Sequence, residues 1–209
     1  ASGVPTATWE IFRRGGDVSP DGVSPAARHV IKPNASSASW GVRDATDWET
    51  RSKAIAEIHA DGHDAIVEPF LEGSDVEVPV ITINGRPRIM PMMLFQQADP
   101  SHLRTYYEKR DLVDRSSKYS LVPFEDEGLV GRVRAMTETL IEIFNPFDYG
   151  RFEFRVDVAS GEIHFLEVNL NCNLWSQKVF GRSAALMGFS QTELIETILA
   201  ESLIRQGLC

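Results

Sequence analysis

The stretch from Arg151 to Trp175 constrains the fold more than any other part of the chain, because two alternating segments are joined there by a short turn. Apolar and charged residues alternate in the first segment, with Phe152, Phe154, Val156 and Val158 on one face and Arg151, Glu153, Arg155 and Asp157 on the other. A period of two residues is typical of a β-strand. Ser160-Gly161 then predicts a hairpin turn.

The returning strand carries an acid inside an otherwise apolar run. We expect one of its faces to hold Ile163, Phe165, Glu167 and Asn169, and the opposite face to hold His164, Leu166 and Val168. One face of the hairpin is then predicted to gather Arg155, Asp157, Glu167 and Asn169. A carboxylate such as Glu167 is costly in apolar surroundings unless a cation or a donor meets it.

A divalent metal ion would supply that cation. Magnesium prefers oxygen ligands, usually one or two protein carboxylates completed by water and phosphate oxygens. Asp157, Glu167 and the Asn169 amide offer this set, and Arg155 would bind phosphate beside it. The alternative is a structural salt bridge between Arg155 and either Asp157 or Glu167.

Composition limits the class of protein. With 209 residues, 43% of them hydrophobic, the chain can bury the core of one domain or of two small lobes. The net charge of −9 argues against a nucleic-acid partner. We expect a soluble, cytoplasmic protein with no membrane partner, because no apolar run approaches a membrane span and two cysteines are too few for a disulfide framework. The chain does not begin with Met, so we expect it to be part of a larger protein.

Two segments in the first third of the chain suggest contacts to a nucleotide. Lys32 ends a short strand and is followed by a loop of small and hydroxyl residues, which can cradle phosphates, although an ordinary surface loop is the alternative. The strand from Ala65 to Leu71 contains Glu68 and a proline, so backbone groups there are expected to hydrogen-bond a flat heterocycle, with Glu68 accepting from an exocyclic amine.

The remaining elements are predicted from periodicity and caps. We expect a helix after Asp47, a hairpin at Asn84-Gly85 and an amphipathic helix over residues 126–144 that covers the sheet of the first hairpin. A last helix over residues 191–205 is expected to bury Leu194, Ile195, Ile198, Leu199 and Leu203. Residues 96–123 are polar and aperiodic, which predicts a loop over a site.

In this order, the elements from about Gly3 to Gly188 resemble the ATP-grasp fold, and more closely its D-alanine–D-alanine ligase branch. The resemblance implies an α+β fold with two lobes of mainly antiparallel sheet that hold ATP between them. Residues 1–72 would form the central lobe, with the phosphate loop and hinge, and residues 73–209 the C-terminal lobe, with the metal and substrate site. The family's N-terminal lobe has no counterpart in the sequence.

Two motifs carry the nucleotide part of the resemblance. Lys32-Pro33 followed by Ser39 and Gly41 is similar to the family's K-P-x(5)-S-x-G phosphate loop. The family's hinge, E-x-x-x-x-G-x-E, holds adenine by its backbone and ribose by its last acid; it matches Glu68, Pro69, Leu71, Gly73 and Asp75.

Two further motifs carry the metal part. Arg155-Val156-Asp157 resembles the family's R-x-D, and Leu166-Glu167-Val168-Asn169 resembles its L-E-x-N. These motifs imply two Mg²⁺ ions, with Mn²⁺ as an alternative, between the ATP phosphates. Lys109 is similar to the lysine of the family's mobile loop. An alternative alignment places Lys118 at that position.

The chain departs from the family after Asn169. Cys172 stands where the family has proline, Asn173 where it has glycine and Lys178 where it has a serine that binds the acceptor's carboxylate. Asn173 can adopt positive φ and still offer its N–H to an oxyanion. Trp175 and Lys178 suggest a different acceptor, whose carboxylate Lys178 could bind.

The resemblance implies an ATP-dependent carboxylate–amine ligase that makes an amide bond through an acyl phosphate. Arg155, Lys109 and Asn173 would be catalytic, and the substrates would be ATP and small amino-acid-like carboxylates and amines. Dimers are common among such ligases, so a homodimer is a candidate assembly. A non-catalytic ATP-binding module and a structural domain with salt-bridged acids are the alternatives.

Overall fold

The computed structural model describes residues 2–20, 25–99, 101–103, 106–109 and 119–208. Its strands are β1 (Glu10–Phe12), β2 (His29–Pro33), β3 (Arg43–Ala45), β4 (Ala65–Pro69), β5 (Ser74–Ile83), β6 (Arg86–Ile89), β7 (Met93–Gln97), β8 (Tyr119–Pro123), β9 (Tyr149–Asp157) and β10 (Glu162–Asn169). Its helices are α1 (Trp48–Ala60), α2 (Tyr106–Lys109), α3 (Glu127–Phe144), α4 (Val179–Leu186) and α5 (Gln191–Arg205).

The chain divides into two compact units, each with its own sheet and core. The small-sheet unit comprises Ala7–Glu72 and Asp99–Lys118, and the large-sheet unit comprises Ala1–Thr6, Gly73–Ala98 and Tyr119–Cys209. Both sheets pair their strands antiparallel, as predicted. The identification of these units with the family's central and C-terminal lobes stays a prediction.

In the small-sheet unit, helix α1 packs on a sheet with the strand order β1-β4-β2-β3. The predicted cap is present, since Asp47 accepts a hydrogen bond from the backbone N–H of Thr50 at 2.7 Å. The helix buries Ala54, Ile55 and Ile58 against the sheet. This packing fixes β2 and β4, the two central strands that carry Lys32 and Glu68.

The large-sheet unit has the strand order β10-β9-β5-β7-β8, with β6 paired to β5. Asn84 and Gly85 both have positive φ and form the predicted turn between β5 and β6. Helix α3 covers one face of the sheet, as expected, and packs its buried leucine and valine side chains on Phe152, Phe154 and Val156. The opposite face of β5 and β9 carries charged residues.

Two sequence predictions need correction. Ile195 and Leu199 of α5 are exposed, because the face of the helix that is buried carries Leu194, Ile198 and Glu201. The predicted loop over residues 96–123 is shorter, since β7 extends to Gln97 and β8 takes up Tyr119–Pro123. Within the described ranges, no helix is both long and apolar enough to cross a membrane.

Candidate active site

The β9–β10 hairpin contains a bulge that the sequence pattern does not reveal. From the turn, Glu162 pairs with Asp157 and Phe165 pairs with Phe154, in regular antiparallel register. The register then shifts between Phe165 and Glu167, so that Leu166 is an extra residue and Glu167 lies opposite Glu153. A bulge interrupts the alternation of side chains between the two faces of a sheet. Odd-numbered residues before the bulge and odd-numbered residues after it therefore lie on opposite faces.

The bulge changes which residues share a face. Ile163 and Phe165 lie opposite Val156 and Phe154, on the core face, so the prediction that they share a face with Glu167 and Asn169 is wrong. Val168 lies opposite the buried Phe152, on the face away from Glu167 and Asn169, as expected. The predicted gathering of Arg155, Asp157, Glu167 and Asn169 on one face is nevertheless confirmed, because the bulge returns Glu167 and Asn169 to that face.

Glu167 and Asn169 lie beside residues of β9 that the predicted metal site does not include. Glu167 lies directly opposite Glu153, and Asn169 lies directly opposite Arg151. Asp157 lies opposite Glu162, four residues farther along the strand, a separation of about 13 Å. The register therefore places Glu153, and not Asp157, beside Glu167.

Asp157 instead closes the hairpin turn. Its Oδ2 accepts a hydrogen bond from the Ser160 hydroxyl at 2.6 Å, and its Oδ1 accepts one from the Ala159 N–H at 3.0 Å. These hydrogen bonds, first the hydroxyl and then the backbone N–H, hold the pKa of Asp157 below its usual value.

Arg151 lies half-buried between two carboxylates. Its Nε lies 2.9 Å from Glu77 Oε2 and 3.0 Å from Glu153 Oε1, and its Nη2 also donates to Glu153. Glu77 and Glu153 lie opposite each other on β5 and β9, and both are 3% exposed. Burial opposes the charged form of Arg151, but the two carboxylates outweigh it and raise the pKa of the guanidinium.

Arg155 forms an ion pair with Asp75, an acid that the sequence analysis did not consider as its partner. Its Nη1 donates to Asp75 Oδ1 at 2.8 Å, and the two residues lie opposite each other on β9 and β5. Both are largely buried. Asp75, the predicted ribose contact, is thus held by an arginine of the neighbouring strand.

The donors on this face suit magnesium. Two carboxylates directly opposite each other repel, so a cation near Glu153 and Glu167 would be stabilising. Carboxylate and amide oxygens are the protein ligands that Mg²⁺ takes. In the part of the chain that the structure describes, no three His, Cys, Asp or Glu side chains lie close enough to hold a metal ion. Glu153, Glu167 and Asn169 thus fit an ion whose coordination is completed by phosphate oxygens and water.

The small-sheet unit brings two other predicted residues together. Lys32 Nζ lies 2.6 Å from Glu68 Oε2, where the two side chains share a face of the neighbouring strands β2 and β4. Pro69 is the last residue of β4, and Leu71 follows it half-buried. Phe70 between them donates its backbone N–H to the carbonyl oxygen of Arg28 at 2.9 Å.

The predicted phosphate loop has an unusual backbone. Ala38, Ser39 and Gly41 all have positive φ, which is uncommon for residues other than glycine. Gly41 cannot be replaced freely, because a Cβ there would lie 2.7 Å from Pro33 Cγ. Strained backbone of this kind is often found at functional sites. Trp40 contacts His63 edge to face, with ring centroids 5.3 Å apart.

The loop lysine lies at the limit of the described chain. Lys109 is the last residue of α2, and its side chain is outside the described part. The alternative residue, Lys118, is outside it altogether.

The segment after β10 differs from the expectation at Asn173. Among the described residues, the non-glycine positions with positive φ are Ala38, Ser39 and Asn84, so Asn173 does not take the predicted conformation. Its Oδ1 instead accepts a hydrogen bond from the Trp175 N–H at 2.8 Å. A side-chain oxygen that accepts from the N–H two residues later is the pattern of an Asx turn.

The other predicted residues in and after β10 differ in how far they are exposed to solvent. Cys172 is buried, and burial raises the pKa of its thiol to about 12. Trp175 is 53% exposed, and Lys178 precedes the first residue of α4 as its N-cap. Leu166, the bulge residue, is exposed as well.

Arg151, Glu153 and Glu77 are the residues that sequence reasoning missed. Arg151-Phe152-Glu153 has the same Arg-x-acid pattern as Arg155-Val156-Asp157, with glutamate as the acid. Counting residues outward from the turn would have shown which of the two patterns lies beside Glu167, because a tight turn at Ser160-Gly161 places Glu153 opposite position 166 or its neighbour. For Glu77, the sequence carries no signal of its partner.

The two antiparallel sheets and their helices have the ATP-grasp fold. The solved D-alanine–D-alanine ligase from Bacillus anthracis in complex with ATP superposes with a TM-score of 0.72 and 17% identity, over 98% of this chain and 61% of that one. The VanG D-Ala:D-Ser ligase from Enterococcus faecalis superposes with a TM-score of 0.74 and 18% identity, over 95% of this chain and 57% of that one.

The sequence comparisons define the family. The profile described as D-ala D-ala ligase C-terminus matches residues 1–200. The chain therefore belongs to the D-alanine–D-alanine ligase C-terminal family. The D-alanine–D-alanine ligase of Maridesulfovibrio salexigens is 27% identical over 169 residues, which cover 81% of this chain and 53% of that protein. The chain thus spans about half the length of this relative.

Proposed function

We propose that this chain carries the ATP-binding and catalytic residues of an ATP-dependent carboxylate–amine ligase that forms an amide bond through an acyl phosphate. The observation that carries the proposal is the register of β9 and β10, in which Arg151 and Glu153 lie opposite Asn169 and Glu167. An arginine, two carboxylates and an amide on one sheet face suit the transfer of a phosphoryl group. Family membership and the ligase names of the relatives support it.

In this proposal, Glu153, Glu167 and Asn169 hold the metal ions against the phosphates of ATP. Mg²⁺, or Mn²⁺ in its place, would neutralise the charge that develops on the phosphates during transfer. Asp157 was predicted for this role, but the hairpin register favours Glu153.

The small-sheet unit would contribute the nucleotide contacts. Lys32 and the loop that contains Ser39 and Gly41 would bind phosphates, and Glu68 with the backbone of Pro69 and Leu71 would bind adenine. Lys32 and Glu68 form an ion pair, so each side chain would be held in position by the other before the nucleotide binds. Asp75 would contact ribose, and Lys109 would bind phosphate from its loop.

Arg151 would act at the reacting phosphate. A carboxylate oxygen of the first substrate attacks the γ-phosphorus, the bond to the β-phosphate oxygen breaks, and ADP leaves with that electron pair. The amine of the second substrate then attacks the acyl carbon, loses a proton, and displaces phosphate. Arg151 would bind the transferring group and then the oxyanion, the role first predicted for Arg155. Arg155 pairs with Asp75 and would hold that acid in place.

Trp175 and Lys178 would select the acceptor. Lys178 offers a cation for its carboxylate, and the exposed indole of Trp175 offers an apolar surface beside it. Both substrates would then be small and amino-acid-like. A cytoplasmic location and a homodimer remain predictions.

The second candidate function is a non-catalytic ATP-binding module. It is favoured by Asn173, which lacks the positive φ expected for an oxyanion-binding N–H at this position. Such a module would bind nucleotide without transferring phosphate.

Trapping of the acyl phosphate separates the two candidates. The protein is incubated with ATP, Mg²⁺, hydroxylamine and a panel of D- and L-amino acids, and both hydroxamate and ADP are measured. A ligase forms both with at least one amino acid, and Glu167→Gln abolishes both. Nucleotide binding without hydroxamate or ADP would support the non-catalytic module and contradict the ligase.

A further inference from the structure

The strands β5, β9 and β10 carry a row of three acids, two of which share one arginine. Glu77 lies opposite Glu153, and Glu153 lies opposite Glu167. Arg151 contacts the first two acids, through Nε at 2.9 Å to Glu77 and at 3.0 Å to Glu153. One guanidinium therefore serves two buried carboxylates, and the third acid lies on the far side of Glu153.

The two buried carboxylates differ in what else they could bind. Glu153 lies between Arg151 and Glu167, so it can serve either the guanidinium or a cation held with Glu167. Glu77 lies on the other side of Glu153, away from β10. A buried charge that loses its only partner is strongly destabilising. If Arg151 depended on Glu153 alone, any cation that drew on Glu153 would leave the guanidinium without a counter-charge.

We infer that Glu77 is a positioning residue, which keeps Arg151 paired and in place when Glu153 turns to a divalent cation. The inference rests on the proposed function, in which Glu153 is a metal ligand and Arg151 acts on the phosphate. Glu77 would thus allow the metal site and the paired arginine to occupy the same sheet face.

The test compares the affinity of the protein for Mg²⁺ with ADP, measured by calorimetry, in the unaltered protein and in Glu77→Gln. ADP is chosen because it lacks the γ-phosphate, which could replace Glu77 as the partner of Arg151. Residues that support a metal ligand from outside its coordination shell are worth about 10- to 100-fold in affinity, so Glu77→Gln is expected to weaken Mg²⁺·ADP by at least about tenfold.

Two further variants serve as comparison. Glu162→Gln removes the same charge from the same sheet face at the turn, opposite Asp157, and is expected to bind Mg²⁺·ADP like the unaltered protein. Glu77→Asp keeps the charge but shortens the reach to Arg151, so a weaker but measurable loss is expected. If Glu77→Gln does not fold, the affinity of Glu77→Asp for Mg²⁺·ADP tests the inference in its place.

A second measurement follows Arg151 itself. In the unaltered protein, the Nε–Hε signal of Arg151 in nitrogen-15 NMR spectra is expected to stay protected from exchange with water after Mg²⁺·ADP is added. In Glu77→Gln it is expected to be protected only before the addition. A merely structural role of Glu77 would not make this protection depend on the ligand.

The outcomes separate the inference from the function on which it rests. If the unaltered protein binds Mg²⁺·ADP and Glu77→Gln binds it equally well, the inference is overturned and the proposed function stands. If the unaltered, folded protein does not bind Mg²⁺·ADP, both are overturned.

Discussion

Gly73 begins the second segment of the large-sheet unit, at a point where two backbones lie very close together. Its φ is +101°, and a Cβ built there would lie 2.2 Å from the carbonyl oxygen of Val156. Any side chain would therefore push β5 away from β9 beside Asp157, at the end of the predicted hinge. Only glycine allows this approach.

We predict that Gly73→Ala destabilises the protein by roughly 2–5 kcal/mol, as the sum of left-handed strain and overpacking. Denaturation by urea, followed by circular dichroism, measures the loss. Gly85→Ala is the matched control, because Gly85 has a φ of +69° with no atom within 4 Å of a built Cβ. It should lose only the strain, about 1–2 kcal/mol. Equal losses in the two variants would contradict the close approach.

Cys172 is a second residue whose environment gives a measurable property. Its thiol has a pKa of about 12 in the folded protein because it is buried, against 9.0 for an unperturbed cysteine. Between these values the unfolded chain loses the thiol proton and the folded chain keeps it. Stability from this group is therefore present below pH 9 and declines as pH rises toward 12.

The expected result is that Cys172 does not react with iodoacetamide at pH 8 in the folded protein, since the thiolate is the nucleophile. Mass spectrometry of Cys209→Ser, which leaves one cysteine, provides the measurement. Addition of urea should make the thiol reactive. Rapid alkylation without urea would show that the thiol is accessible and would contradict its burial.

At the scale of elements, Gly131 in α3 and Gly181 in α4 have opposite consequences for packing. Gly131 lies on the exposed side of α3, and no atom lies within 4 Å of a Cβ built there. Gly181 in α4 packs on the backbone of Ser176, where a built Cβ would lie 2.3 Å from its Cα. The second glycine therefore fixes α4 against the segment that carries Trp175 and Lys178.

Gly131→Ala is expected to stabilise the protein by about 0.5–1 kcal/mol, through the higher helix propensity of alanine. Gly181→Ala is expected to destabilise it by about 1–3 kcal/mol, through overpacking. Unfolding midpoints of the two variants give the sign of each effect. Stabilisation by Gly181→Ala would mean that α4 does not pack on Ser176 as described.

The elements themselves could be predicted from the sequence because their signals are local. Asp47 at the start of α1 and Asn84-Gly85 between β5 and β6 act within a few residues of the structure they determine. The bulge at Leu166 could not be predicted, because one extra residue in a strand leaves no compositional signal. That single residue decided which acid lies opposite Glu167.

At the scale of the whole molecule, the charged partners depend on strand order, which no local pattern specifies. Arg155 pairs with Asp75 and Arg151 with Glu77 because β5 lies beside β9, although more than seventy positions separate them in the sequence. The sequence therefore predicted the family and the antiparallel sheets, while the ion pairs of the candidate site emerged only from the assembled sheet.

The central claim is that Glu153, and not Asp157, acts with Glu167 in binding magnesium. Calorimetric titration of ATP with and without Mg²⁺ tests it in Glu153→Gln, Glu167→Gln and Asp157→Asn. The first two variants should lose the magnesium-dependent part of the affinity, by at least about tenfold, while Asp157→Asn keeps it. Loss in Asp157→Asn with full retention in Glu153→Gln would contradict the account.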